Sequence, residues 1–212
     1  MGNFWKTRVS LLGLGLLLLG LPLLAQDNDN SDHRPARSPV PAAASVPIFE
    51  VSAGYAYVNL NMPSASRVSL NGLDGNIVVN VTERWGGTID ASYSRTSDVL
   101  STGHGGSDLN FLAGPVFYPV DRGNLRMFTH ALFGAGRVDS ATPTSKTTFL
   151  GGQVTRLSYA LGAGVEYDLS RSFGVRGGAD YLRTTFVDAT GKDQPQNNLR
   201  AVVGLVFKLG SH

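Results

Sequence analysis

A chain of 212 residues with 42% hydrophobic and only 16% charged side chains has length for one domain or two small ones, and too little charge for a disordered polyelectrolyte or a coiled coil. Ten prolines without a repeat exclude collagen. Zero cysteines exclude a disulfide scaffold, a thiolate zinc or iron–sulfur site and a lipoprotein anchor. With Lys6 and Arg8 set aside as parts of a removable N-terminus, sixteen basic residues face sixteen acidic ones, so no basic nucleic-acid-binding surface is expected.

The first segment is an address. Lys6 and Arg8 precede an apolar run from Val9 to Ala25, interrupted by Pro22 and followed by polar Gln26. A positive start, a short apolar core and a terminal small residue read as a secretory signal over 1–25. Residues 26–46 are polar and then Pro/Ala-rich, with Pro35, Pro39 and Pro41. Such a segment buries too little apolar surface to offset its ordering entropy, so it is expected to be a disordered leader. The remainder, 47–212, reads as one domain.

From residue 48 onward the pattern is period-two alternation over about ten residues, the signature of membrane β-strands. Phe49, Val51, Tyr55 and Tyr57 alternate with Glu50, Ser52 and Gly54. Ile77, Val79 and Val81 alternate with Asn76, Asn80, Thr82 and Arg84. Ile89 and Tyr93 alternate with Asp90 and Ser92. Leu109, Phe111, Ala113 and Phe117 share a face. Leu125, Met127 and Phe133 alternate with Arg126 and His130; Tyr159, Leu161, Val165 and Tyr167 alternate with Gly162, Gly164 and Glu166. Phe173, Val175 and Tyr181 alternate with Arg176, Gly178 and Asp180, and Leu199, Val203, Leu205 and Phe207 with Arg200, Gly204 and Lys208. Short connections are expected near 86–88, 119–124 and 170–172, and long polar ones near 62–75, 95–107, 139–155 and 187–198. The sequence therefore predicts an all-β fold, an eight-stranded antiparallel up-and-down transmembrane barrel with short periplasmic turns and four long extracellular loops. Aromatics eight residues apart, such as Phe173 and Tyr181, stand about 20 Å apart along the normal of a tilted strand, close to the height of an outer-membrane apolar band. A soluble ligand barrel would turn its apolar face inward; here the second face is Gly, Ser, Asn and charge.

These segments resemble small outer-membrane β-barrel domain proteins of the OmpA/OmpX-like kind, over roughly 48–209. Arg84-Trp85-Gly86 looks like that family's first periplasmic turn. Phe128 to Gly134, Leu161 to Tyr167, Arg176 to Thr184 and Asn198 to Phe207 look like its last four strands. The resemblance implies the cell outer membrane of a Gram-negative envelope, surrounding lipid, and assembly by the outer-membrane insertion machinery, which reads an in-phase terminal aromatic. Here Phe207 is in phase but not terminal, since Lys208 to His212 follow it.

No enzyme, cofactor or metal site is expected. His130 is the one histidine on a strand, on the inward face, whereas barrel lipid hydrolases place His and Ser on the lipid face. The inward charges are more informative. Glu50, Arg84, Asp90, Arg126, Glu166, Arg176, Asp180, Arg200 and Lys208, together with His130, are expected to form a structural lumen network. Eight strands enclose an interior wide enough only for side chains, and charges there need partners. A turn at 170–172 sets Glu166 opposite Arg176. A turn at 86–88 would set Arg84 opposite Asp90, and Arg200 is the candidate partner of Asp180. The expected function is a non-enzymatic monomer serving envelope integrity or binding an unknown extracellular ligand through its loops. The alternatives are a small porin-like channel and, third, a lipid-modifying enzyme.

Overall fold

The computed structural model describes residues 47–61, 67–101, 103–143, 149–187 and 192–210. The expected signal and leader segments lie outside these residues. Eight strands follow one another: β1 (Phe49–Asn61), β2 (Arg67–Asn80), β3 (Trp85–Thr96), β4 (Gly106–Arg122), β5 (Leu125–Pro143), β6 (Phe149–Asp168), β7 (Phe173–Val187) and β8 (Asp193–Leu209). Each pairs antiparallel with the next, and β8 pairs with β1 to close the barrel.

The register fixes the dimensions. Stepping across ladder partners from Phe117 through Thr129, Ala163, Ala179, Ala201, Tyr57, Asn71 and Arg95, one circuit returns to β4 at Ser107, ten residues from its start. Eight strands with that stagger tilt by about 40° and enclose a radius of about 8 Å. Side chains fill a cylinder of that size.

Both faces obey the alternation. Phe49, Tyr55, Trp85, Phe111, Phe133, Tyr167 and Phe207 are exposed on the outer wall. They form two aromatic belts, with contacts such as Trp85–Phe117 (4.7 Å between ring centroids) and Phe173–Phe207 (5.2 Å) at the end carrying the short turns, and Phe133–Tyr159 (6.3 Å) towards the other end.

The connections differ from the sequence expectation. The first turn occupies Val81–Arg84 rather than 86–88. Trp85 O accepts from Val81 N and Thr82 N, and Thr82 Oγ1 accepts from Trp85 N (3.0 Å). Gly86 and Gly87 belong to β3, where a Cβ on Gly86 would run into Val79 O and Asn80. Gly86 serves close strand packing there, and neither glycine marks the turn. The second turn is a tight one at Gly123–Asn124, with Gly123 at φ 61°, the left-handed region that glycine enters without strain. The ladder between β4 and β5 slips between Phe117 and Val120, around Pro119, which has no N–H to donate. At the opposite end β2 begins at Arg67, and β5 and β6 run on to Pro143 and from Phe149. The strands thus extend through sequence expected to be loop. Polar side chains end the apolar pattern at the membrane surface, yet backbone pairing continues in water.

Candidate functional site

The lumen is organised in three levels. Nearest the turns is a five-charge cluster. Arg126 Nη1 lies 2.5 Å from Glu50 Oε1, and Lys208 Nζ 2.6 Å from Glu166 Oε1. Arg176 Nη1 stands 3.8 Å from Glu50 and 3.7 Å from Glu166. Asn80 Nδ2 and the Tyr118 hydroxyl also donate to Glu50, at 2.7 and 3.2 Å. Asp121 and Asp168, at the mouth, take Arg126 (3.1 Å) and Lys208 (2.5 Å). The guanidinium planes rest on rings: Arg126 over Tyr118 at 3.9 Å, Arg176 over Phe128 at 3.8 Å. A ring face offers a cation further attraction where water is excluded.

At mid-height Arg200, 1% exposed, is the hub of three carboxylates. Its Nη2 lies 2.6 Å from Asp180 Oδ2, and its Nη1 2.7 Å from Asp90 Oδ1 and 3.2 Å from Asp74 Oδ2. Ser92 Oγ accepts from the same Nη1 at 3.0 Å. His130 Nε2 is 2.9 Å from Asp180 Oδ1. Beside this hub a cavity of about 30 Å³, lined by Ser52, Asn76, Asp90, His130, Arg176 and Gly178, has room for one or two waters.

The third level, in the half of the lumen away from the turns, sets leucines beside buried Asp108, Asn110, Ser158 and Asn198. Leu60, Leu70, Leu112, Leu132 and Leu182 come from five strands, each at most 3% exposed, and pack with Val58, Val68 and Phe186. Val99, from the β3–β4 connection, is buried in the same cluster. Its N–H donates to His104 O at 2.8 Å.

Of the ten residues expected in a lumen network, nine stand inside the wall. The structure sets Glu166 opposite Arg176 and Asp180 opposite Arg200 on the β6–β7 and β7–β8 ladders. Arg84 does not join them. It is exposed in the Val81–Arg84 turn, because that turn falls earlier than expected, and Asp90 faces Asn76 and Leu112 instead. Asp74, Tyr118 and Phe128 are among the lumen residues absent from the sequence expectation. Asp74 sits between Gly72 and Gly75, a run that reads as loop. Tyr118 lies beside the register slip at Pro119. Phe128 shares the parity of Arg126 and His130 and is visible in that alternation. The leucine cap is absent from it too, because the inward face reads as polar in the segments nearest the turns.

Two inward glycines of β6 make room for this filling, whereas Gly54, Gly72, Gly114, Gly134 and Gly204 lie against the backbone of the neighbouring strand. A Cβ on Gly164 would overlap the Phe128 ring, and one on Gly162 would overlap Asp180 Oδ1 and His130 Nε2. As for chemistry, Asp180 engages the His130 imidazole and Arg200 holds the Ser92 hydroxyl. Among the described residues no three His, Cys, Asp or Glu side chains are grouped to hold a metal ion.

A closed eight-stranded barrel with two aromatic belts and an ion-paired interior defines an integral membrane barrel. Residues 36–207 match the outer membrane protein beta-barrel domain, and the chain belongs to that family and to the cell outer membrane. Its fold is similar to that of Neisserial surface protein A, at 12% identity and a TM-score of 0.62 over 76% of this chain and 97% of the other. It is also similar to that of Ail, the attachment invasion locus protein of Yersinia pestis, at 16% identity and a TM-score of 0.53 over 77% and 99%. No curated protein matches the sequence at a significant level.

Proposed function

We infer that the protein is a non-enzymatic, monomeric barrel with a sealed lumen, acting at the cell surface through the connections at the end away from its tight turns. The observation that carries this reading is the leucine cap. Five leucines from five strands meet across the loop half of the lumen, beside buried Asp108, Asn110, Ser158, Thr184 and Asn198, and a level packed in this way opposes the passage of ions. With conduction unsupported, the exposed connections are the remaining place for function, since binding residues concentrate on loops held by a rigid scaffold. The tight turns and the strand ends at Phe49 and Leu209 then face the periplasm, and the unknown ligand meets the loops outside. A surface role agrees with the similarity in fold to Ail, which is an attachment invasion locus protein.

An epitope inserted at 144–148 should be labelled on intact cells, and one at Gly123–Asn124 should not; the reverse pattern would invert the orientation. Complementation then separates the two surface roles. A variant with shortened loops that still restores detergent resistance to a strain lacking the protein supports envelope integrity. One that folds but fails to do so supports a loop-borne interaction. Restoration only by variants that also conduct ions would overturn the reading.

A further inference from the structure

The leucine level holds an acid that no base among the described residues serves. Asp108 on β4 is 1% exposed and stands opposite Val138 of the apolar cluster. Its Oδ2 accepts from Asn110 Nδ2 at 2.8 Å, and its Oδ1 has no hydrogen-bond partner. On the β3 side Asp108 is opposed by Ser94, also buried, whose hydroxyl is likewise without a partner. Directly opposed side chains of an antiparallel pair lie within mutual reach. Two buried polar atoms on neighbouring strands are thus left over, one from an acid and one from an alcohol.

The bases of the lumen are engaged elsewhere. Arg200 on β8 holds Asp74, Asp90 and Asp180, while Arg126, Arg176 and Lys208 hold Glu50 and Glu166. The titratable groups that face Asp108 from the hub below are therefore Arg200, Asp74 on β2, Asp90 on β3, Asp180 on β7 and His130 on β5, the last bound to Asp180. β1 and β6 contribute the neutral Val58, Leu60, Ser158 and Ala160. A lone carboxylate is strongly disfavoured in such surroundings. A metal ion would need more oxygens. Asn110 Oδ1 accepts from Ser158 Oγ at 3.2 Å, and no three acids or histidines are grouped among the described residues. A proton meets both needs, since a neutral acid has one O–H to donate and a serine hydroxyl can accept it.

We propose that Asp108 is a proton-operated lock on the loop half of the lumen, donating to Ser94 Oγ as a neutral acid and hydrating the level around it as a carboxylate. The lock rests on the sealed-lumen reading. Its proton exchanges with water at the loop end, where the next opposed pair, Thr96 and Gly106, is partly exposed. Loss of that proton wets an apolar constriction that is otherwise dry, which is how such constrictions open.

The test uses the full chain, refolded in detergent micelles, and reads protonation and hydration separately. At neutral pH the infrared spectrum of the wild type minus that of Asp108→Asn should show the carbonyl stretch of a hydrogen-bonded neutral carboxylic acid. In Ser94→Ala that stretch should move to the higher frequency of a free acid, and this shift carries the assignment if Asp108→Asn does not fold. The chain has no cysteine, so Val138→Cys supplies a single thiol beside the lock. Its labelling by a small water-soluble thiol reagent is compared at each pH with labelling in the Asp108→Asn background, which cancels the titration of the thiol itself. The two rates should agree while the acid stretch is present, and their ratio should rise roughly tenfold or more once raised pH abolishes it. Bilayer current at neutral pH with the stretch in place would overturn the sealed lumen and the lock together. A barrel without current that lacks the acid stretch at neutral pH, or that loses it with no gain in labelling, would overturn the lock alone.

Discussion

Arg200 has no substitute among the charges around it. Asp74, Asp90 and Asp180 all converge on one guanidinium, with the His130 imidazole on the far side of Asp180. Removing the guanidinium leaves three buried carboxylates facing one another, so Arg200→Met should cost about 3–5 kcal/mol or more in urea unfolding from detergent micelles. Asp74→Asn removes one of three negative charges from the same hub and should cost about 1 kcal/mol or less. An equal cost for the two would mean that the hub is not charge-limited. Glu166, fully buried among Lys208, Arg126 and Arg176, should lose about 3–5 kcal/mol as Glu166→Gln, and exposed Glu83→Gln should be near neutral in the same assay. The Glu166–Arg176 opposition is legible in the sequence because the turn at Leu169–Ser172 leaves little freedom of register. The Arg84–Asp90 opposition fails for the matching reason. Gly86 and Gly87 look like turn residues, and nothing local shows that they are strand residues paired with Asn80 and Val79.

Strands are legible as elements because lipid on one side and a filled lumen on the other enforce strict alternation. Their lengths are not, since the alternation of apolar residues stops at the membrane surface and the hydrogen-bond ladder does not. The glycines show the same division. Their inward parity can be read, but the Phe128 ring and the Asp180 carboxylate that Gly164 and Gly162 accommodate come from other strands. Gly164→Ala should therefore be destabilising by about 1–3 kcal/mol through overpacking against the Gly177 carbonyl oxygen and the Phe128 ring. Gly87→Ala, where a Cβ meets nothing within 4 Å, should leave the thermal midpoint unchanged or slightly raised. Comparable losses at both positions would mean that the glycines serve strand flexibility and not lumen packing.

At the scale of the whole barrel, eight strands and a ten-residue stagger set a lumen of about 8 Å radius, and its contents decide whether ions pass. The charged levels alone would leave a gated pore open as a reading. The proposed sealed lumen rests on the leucine level above Arg200, and that level is the least visible part of the interior in the sequence. Planar-bilayer recording of the refolded full chain tests this most directly. On the proposed sealed lumen the wild type should show no sustained current, and Leu112→Ser/Leu132→Ser/Leu182→Ser should begin to leak if it still folds. A steady ohmic conductance in the wild type, with an ion selectivity that Glu166→Gln alters without loss of stability, would contradict the sealed lumen.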